Sequence, residues 1–246
     1  MIGRFLEFSV QTPDILDSLG FYKALGFSEL EIGDVWSHRY AVVSDGGICI
    51  GLHDTEIDSP ALTFVHADLA KRARSMTDHG FEFTYLKIGS DEFNQLGMHD
   101  RNGNSIRMLE ARTFSLPDED TDDSICGEWF EVTLPSADAL RNGRFWAPLA
   151  PSLLSLREEP TTHMRFDAGG MSLGLSESIA LVGPSLCFKC RDKSMLSSQV
   201  ERQGLQHKMY PGFEGALMEI VSPEGTRLYI FDNDFLGESY EVDESD

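Results

Sequence analysis

Hydrophobic and polar positions alternate along Phe5-Leu-Glu-Phe-Ser-Val-Gln11, the pattern of a strand with one face buried. An Asp at a turn, Asp14, follows, and the chain then reads as a helix running to the aromatic pair Phe21-Tyr22, with Gly26 placed to close it. The same signals return in Trp129-Phe-Glu-Val-Thr-Leu-Pro135, with Asp138 and Phe145-Trp146 in the corresponding places. Aligned on Glu7 and Glu131, the two segments share an offset of 124 residues.

Three further blocks keep this register. Gly46-Gly-Ile-Cys-Ile-Gly-Leu-His53 matches Gly169-Gly-Met-Ser-Leu-Gly-Leu-Ser176, a turn feeding a strand, at an offset of 123. Ala61 to Leu69 matches Ser185 to Lys193, a strand entering a helix that ends near Gly80 in one copy and Gly204 in the other. Asp100 to Glu110 matches Ser222 to Asp232, a glycine-containing hairpin turn with a last strand, at an offset of 122. Four blocks in order across the chain identify an internal duplication. Each copy contains strand, helix and three strands, twice. The expected fold class is α+β: two tandem modules, each of paired βαβββ units forming a curved, cup-like mixed sheet with its helices on the outer face. Expected boundaries are 1–114 for the first module, 115–125 for a linker, 126–234 for the second module and 235–246 for a tail.

Composition changes this picture in two ways. The formal net charge is −21, which repels phosphate backbones and anionic headgroups, so nucleic acid and membrane are not expected partners. Part of that charge sits in the linker and the tail, which together hold ten acids and read as solvated segments. No basic leader and no long apolar run is present, and a cytoplasmic location is the default expectation. Cys187 and Cys190 have the spacing of a metal or redox pair. On a strand, however, residues three apart point to opposite faces, so they read as core cysteines.

The paired βαβββ order, the Phe21-Tyr22 to Gly26-Phe27 helix ending and the Asp100 to Asn104 turn resemble the vicinal oxygen chelate superfamily, the group of glyoxalases, bleomycin-resistance proteins and extradiol dioxygenases. The resemblance spans residues 3–112 and 126–232. It implies a cup whose metal is held by His, Gln or Glu side chains on the first, fourth, fifth and last strands of a module. Here those positions fall on Glu7 and Glu131, near Gly51 and Gly174, on Ala61 and Ser185, and on Arg107 and Tyr229. A divalent ion needs three or four protein ligands, and neither half supplies them there. A permanent guanidinium at Arg107 would oppose a cation and favours an anionic partner. No cofactor is therefore expected; a divalent metal would require the unconventional set Glu7, His38 and His53, which also reads as an acid–base set.

Glu7 and Glu131 are the leading catalytic candidates. Arg107, His38, His53, Arg39, Tyr229 and Trp36 are candidates for the ligand pocket, with Tyr40, Phe93, Trp129 and Tyr210 as further wall residues and Arg165 as another inward cation. His163 stands in a comparable place in the second half. There is no nucleophile elbow, P-loop or dinucleotide glycine pattern. The expectation is a protein, monomer or homodimer, that binds a small organic molecule in a cup. The alternatives are a metal-dependent lyase or dioxygenase and a structural or regulatory module with its cups filled by side chains.

Overall fold

The computed structural model describes residues 1–31, 38–90, 93–111, 124–159, 161–179, 181–190, 192–209 and 216–232. Most of the acidic linker, the acidic tail, Trp36 and Tyr210 lie outside the described residues. The first βαβββ unit is β1 (Arg4–Gln11), α1 (Ile15–Ala24), β2 (Ser28–Leu30), β3 (Tyr40–Ser44) and β4 (Cys49–His53). The second is β5 (Ala61–His66), α2 (Leu69–Asp78), β6 (Tyr85–Lys87), β7 (Gln95–His99) and β8 (Ser105–Glu110). The other half repeats the order as β9 (Glu128–Pro135), α3 (Ala139–Trp146), β10 (Ser152–Arg157), β11 (His163–Asp167), β12 (Ser172–Ser176), β13 (Ser185–Cys190), α4 (Lys193–Arg202), β14 (His207–Met209), β15 (Ala216–Val221) and β16 (Arg227–Asp232).

Each half builds one eight-stranded mixed sheet, in the orders β2-β3-β4-β1-β5-β8-β7-β6 and β10-β11-β12-β9-β13-β16-β15-β14. The units meet where β1 runs antiparallel to β5 and β9 antiparallel to β13. Within each unit the outer pairing is parallel: β1 with β4, and β5 with β8. Parallel neighbours need a crossover, and the helix of each unit opens it.

All four helices start the same way. The carboxylates of Asp14, Asp68, Asp138 and Asp192 each accept from a backbone N–H in the first turn, satisfying donors that a helix start leaves open. At the end of α1, Gly26 takes φ +92°, the left-handed conformation that suits glycine after a C-cap.

Alternation decides which face is core. Along β1, Phe8 and Val10 join Ile50, Leu52, Leu62, Phe64, Ile106 and Met108 in the apolar core beneath the helices. Glu7 and Ser9, on the opposite face, line the cup. The core is continuous between the halves, since the same cluster includes Trp146, Phe166, Phe188, Leu228 and Ile230. Among the described residues three backbone bonds join the halves: Ile2 N to Leu149 O, Phe5 N to Gly169 O and Ile125 N to Leu25 O, each 2.8–2.9 Å.

Side chains repeat this exchange. From α1, Ser18 and Tyr22 donate to Glu224 in the turn between β15 and β16, at 2.8 and 2.6 Å. From α3, Asn142 donates to Asp100 in the turn between β7 and β8, at 3.0 Å. Ser18 and Asn142 are duplicates at the offset of 124, so each module holds the hairpin turn of the other in a pseudo-symmetric manner. No helix of the described residues is long and apolar enough to cross a membrane.

Candidate functional site: a buried polar network in the first cup

Glu7 lies at the centre of the first cup with its side chain 2% exposed. It needs room that a strand neighbour would ordinarily fill. Gly51, its neighbour on β4, provides that room, because a Cβ there would stand 2.2 Å from the Glu7 carboxyl carbon. Gly174 does the same for Glu131, at 2.4 Å from Oε1. The fourth-strand position that the resemblance assigns to a metal ligand is thus a glycine in both halves, and the first-strand glutamate uses the space.

Three donors converge on the Glu7 carboxylate. Ser9 Oγ donates to Oε1 at 2.5 Å, the Tyr40 hydroxyl donates to Oε2, and His53 Nε2 lies 2.9 Å from Oε1. Ser9 also bonds Thr63 Oγ1 at 2.6 Å, the residue opposite Glu7 on β5. Burial alone would raise the Glu7 carboxyl. The bond and charge of His53, with the bonds from Ser9 and Tyr40, outweigh it and hold the group below the ordinary glutamate range. Burial and the Glu7 charge push the Tyr40 phenol upward, so it stays a donor.

The network continues outward. His53 is fully buried, and its Nδ1 lies 3.0 Å from Nε2 of the half-buried His38. An ionised carboxylate only accepts, so His53 Nε2 carries the proton toward Glu7. Between the two imidazoles one nitrogen donates and the other accepts. Burial first, and then the charges of His53 and Arg107, push His38 below the usual imidazole range. The result is a hydrogen-bonded row of His38, His53 and Glu7 that runs from the partly solvated rim to the cup floor.

Arg107 stands on β8 beside Thr63, on the same face, and is 9% exposed. Its Nη1 is buried with no hydrogen-bond partner among the described residues. Glu7 does not serve as its anionic partner, since that carboxylate already has three donors.

The second cup repeats the geometry with different chemistry. Glu131 accepts from Thr133, has His163 Nε2 at 3.1 Å and pairs with Arg165 Nε at 3.1 Å. By strand register His163 holds the place of Tyr40, not that of either histidine, and Ser176 holds the place of His53. Tyr229, in the place of Arg107, donates to Glu219 at 3.2 Å, and Glu219 also pairs with Arg227. Cys187 faces Thr133 at 3.2 Å while Cys190 sits in the core, so the two sulfurs do point to opposite faces.

The structure thus brings Glu7, His53, His38 and Arg107 together in one cup, and Glu131 with Tyr229 in the other. Arg39 is not among them. Its side chain is 83% exposed and pairs with Asp54 at 2.5 Å, because Tyr40, the next residue, turns inward. Phe93 is largely exposed, and Trp129 lines a cavity of about 170 Å³ between the halves, next to Phe5 and Gly170. Ser9 and Thr63 escaped the sequence reading. Their signal was their period: Ser9 is two residues from Glu7 on one strand.

These residues do not fit the metal centre that the resemblance implies. Glu7 already has three donors, His53 has both nitrogens committed, and the last-strand position holds a cation. Among the described residues no group of three or more His, Cys, Asp or Glu side chains is arranged to hold an ion.

No family model and no curated protein matches the chain. Solved structures do. A catechol 2,3-dioxygenase is similar with a TM-score of 0.59 at 14% identity, over 94% of this chain and 87% of that one. A variant of homoprotocatechuate 2,3-dioxygenase from Brevibacterium fuscum gives 0.62 at 15%, over 100% and 74%. The 2,2′,3-trihydroxybiphenyl 1,2-dioxygenase of Sphingomonas wittichii gives 0.59 at 11%, over 98% and 92%. The fold is therefore that of the two-module extradiol dioxygenases.

Proposed function

We propose that this chain binds a small organic molecule in the cup of its first module and holds it without a divalent metal. The observation that supports this reading is where the polar network lies. Glu7, His53, Ser9 and Thr63 are all buried on the concave face, although the opposite face already carries the apolar core. Burying such groups is costly unless each is bonded, and a purely structural sheet would fill its concave face with apolar side chains. The likeness in fold to proteins named as dioxygenases of catechol and related compounds agrees with a site of that size class.

The test compares the two cups. Binding of a library of small organic acids, alcohols and amides is followed by NMR, with the His38, His53 and Tyr40 side-chain signals as reporters. Hits should shift those signals and leave His163 in place. Gly51→Ala, whose methyl would collide with the Glu7 carboxylate, should weaken the hits at least tenfold, whereas Gly174→Ala should leave them intact. Hits that survive Gly51→Ala, or that map to His163, would remove the first cup from consideration.

A further inference from the structure

Arg107 sits in the middle of β8, between Thr63 on β5 and Gly97 on β7. Directly paired strand residues share a face, so its side chain rises from the cup floor in the row that contains Thr63 and Glu7. A guanidinium has five N–H donors, no acceptor and no means of shedding its charge at any ordinary pH. Arg107 nonetheless keeps Nη1 buried without a partner among the described residues. A buried charged donor of this kind calls for an acceptor.

The second cup shows what that acceptor is when the chain supplies it. There the residue in the place of Gly97 is Glu219, which receives the Tyr229 hydroxyl and pairs with Arg227. The first cup has glycine at that place, and among the described residues no carboxylate bonds Arg107. In its stead the ring of Tyr85 lies over Gly97, with Cε1 2.2 Å from where a Cβ would be. Tyr85, Gly97 and Arg107 thus follow one another across one face of the sheet, and the Arg107 charge also reaches His38 and Tyr40. Glu7, one strand further along the same row, is taken up by Ser9, Tyr40 and His53.

We propose that the first cup recognises an organic carboxylate: its oxyanion is received by Arg107, and its body lies against Tyr85 and Tyr40. This rests on the reading of the first cup as the ligand site and adds the ligand's charge. A carboxylate matches the guanidinium fork with two parallel bonds, and an aromatic wall favours a flat acid. The corresponding neutral amide presents the same shape with one acceptor and no charge.

The probes are benzoate and benzamide, titrated into the full-length protein by calorimetry and by NMR of the Arg107 side-chain N–H and the His38 ring. Benzoate should bind saturably, at least tenfold more tightly than benzamide, and should shift the Arg107 signal. In Arg107→Met the preference for benzoate over benzamide should disappear. Equal binding of the two probes to the wild-type cup would overturn the carboxylate inference and leave small-molecule binding standing, and this comparison does not depend on the variant folding. If neither probe moves any signal of the cup, both the inference and the reading beneath it fall.

Discussion

Glu7 shows how one side chain sets both the stability and the chemistry of the cup. Its carboxylate is buried yet held below the ordinary glutamate range by His53, Ser9 and Tyr40. A group whose folded pKa is depressed contributes stability above its unfolded value, and that contribution is lost as pH falls through the folded value. Glu7→Gln keeps the shape but leaves one donor unmatched, and should cost roughly 1–3 kcal/mol near pH 7. The difference from wild type should then narrow as the pH falls through the ordinary glutamate range toward the depressed value of the folded carboxyl, where the wild-type group takes up its proton. Urea unfolding of both proteins between pH 7 and pH 3 checks this, and a gap that stays constant over the range would contradict it. The residues of this network were unevenly legible. Glu7, His38, His53 and Arg107 stood out because charged and imidazole side chains on strands are unusual. Ser9 and Thr63 did not, since small hydroxyl residues occur in most strands. The exposed position of Arg39 follows from the two-residue period once Tyr40 is known to face inward.

At the scale of elements, the strands and helices followed from patterns that physics enforces locally. Alternation named β1, β4, β5, β8 and their duplicates, and an aspartate marked the start of each helix. The three-residue edge strands β2, β6 and β14 are too short for alternation to register, and only pairing with a neighbour defines them. The Asp caps allow a measurement. Asp138 bonds the Arg141 N–H at 2.8 Å from the start of α3, a helix of eight residues. Asp138→Ala should lower stability by about 1 kcal/mol. Asp138→Asn, which retains the acceptor, should recover most of the loss, and equal destabilisation by both variants would show that charge and not capping is at work.

For the whole molecule, the two modules share one apolar core and exchange turns through Glu224 and Asp100. Units that are joined this way should unfold together. Differential scanning calorimetry should show a single transition with calorimetric and van't Hoff enthalpies in agreement. Two resolved transitions would mean that the modules are thermodynamically separate. Glu224→Ala should shift that one transition downward without splitting it, because Tyr22, fully buried, would lose the acceptor of its hydroxyl. The duplication was visible in the sequence as four blocks in register. How the halves meet was not, since pairing of Ser18 or Asn142 with the opposite turn depends on side-chain directions that no single copy encodes.

The fusion of the halves through Ile2, Phe5 and Ile125 has a consequence for what the cups can become. In a homodimer of single modules every substitution is written twice, so a change that suits one cup is forced on the other. A chain that carries both copies lifts that constraint. The glycine at 97 and the glutamate at 219, the arginine at 107 and the tyrosine at 229, are choices made independently at duplicate sites. Each cup is thereby free to change its side chains without disturbing the joint that holds both.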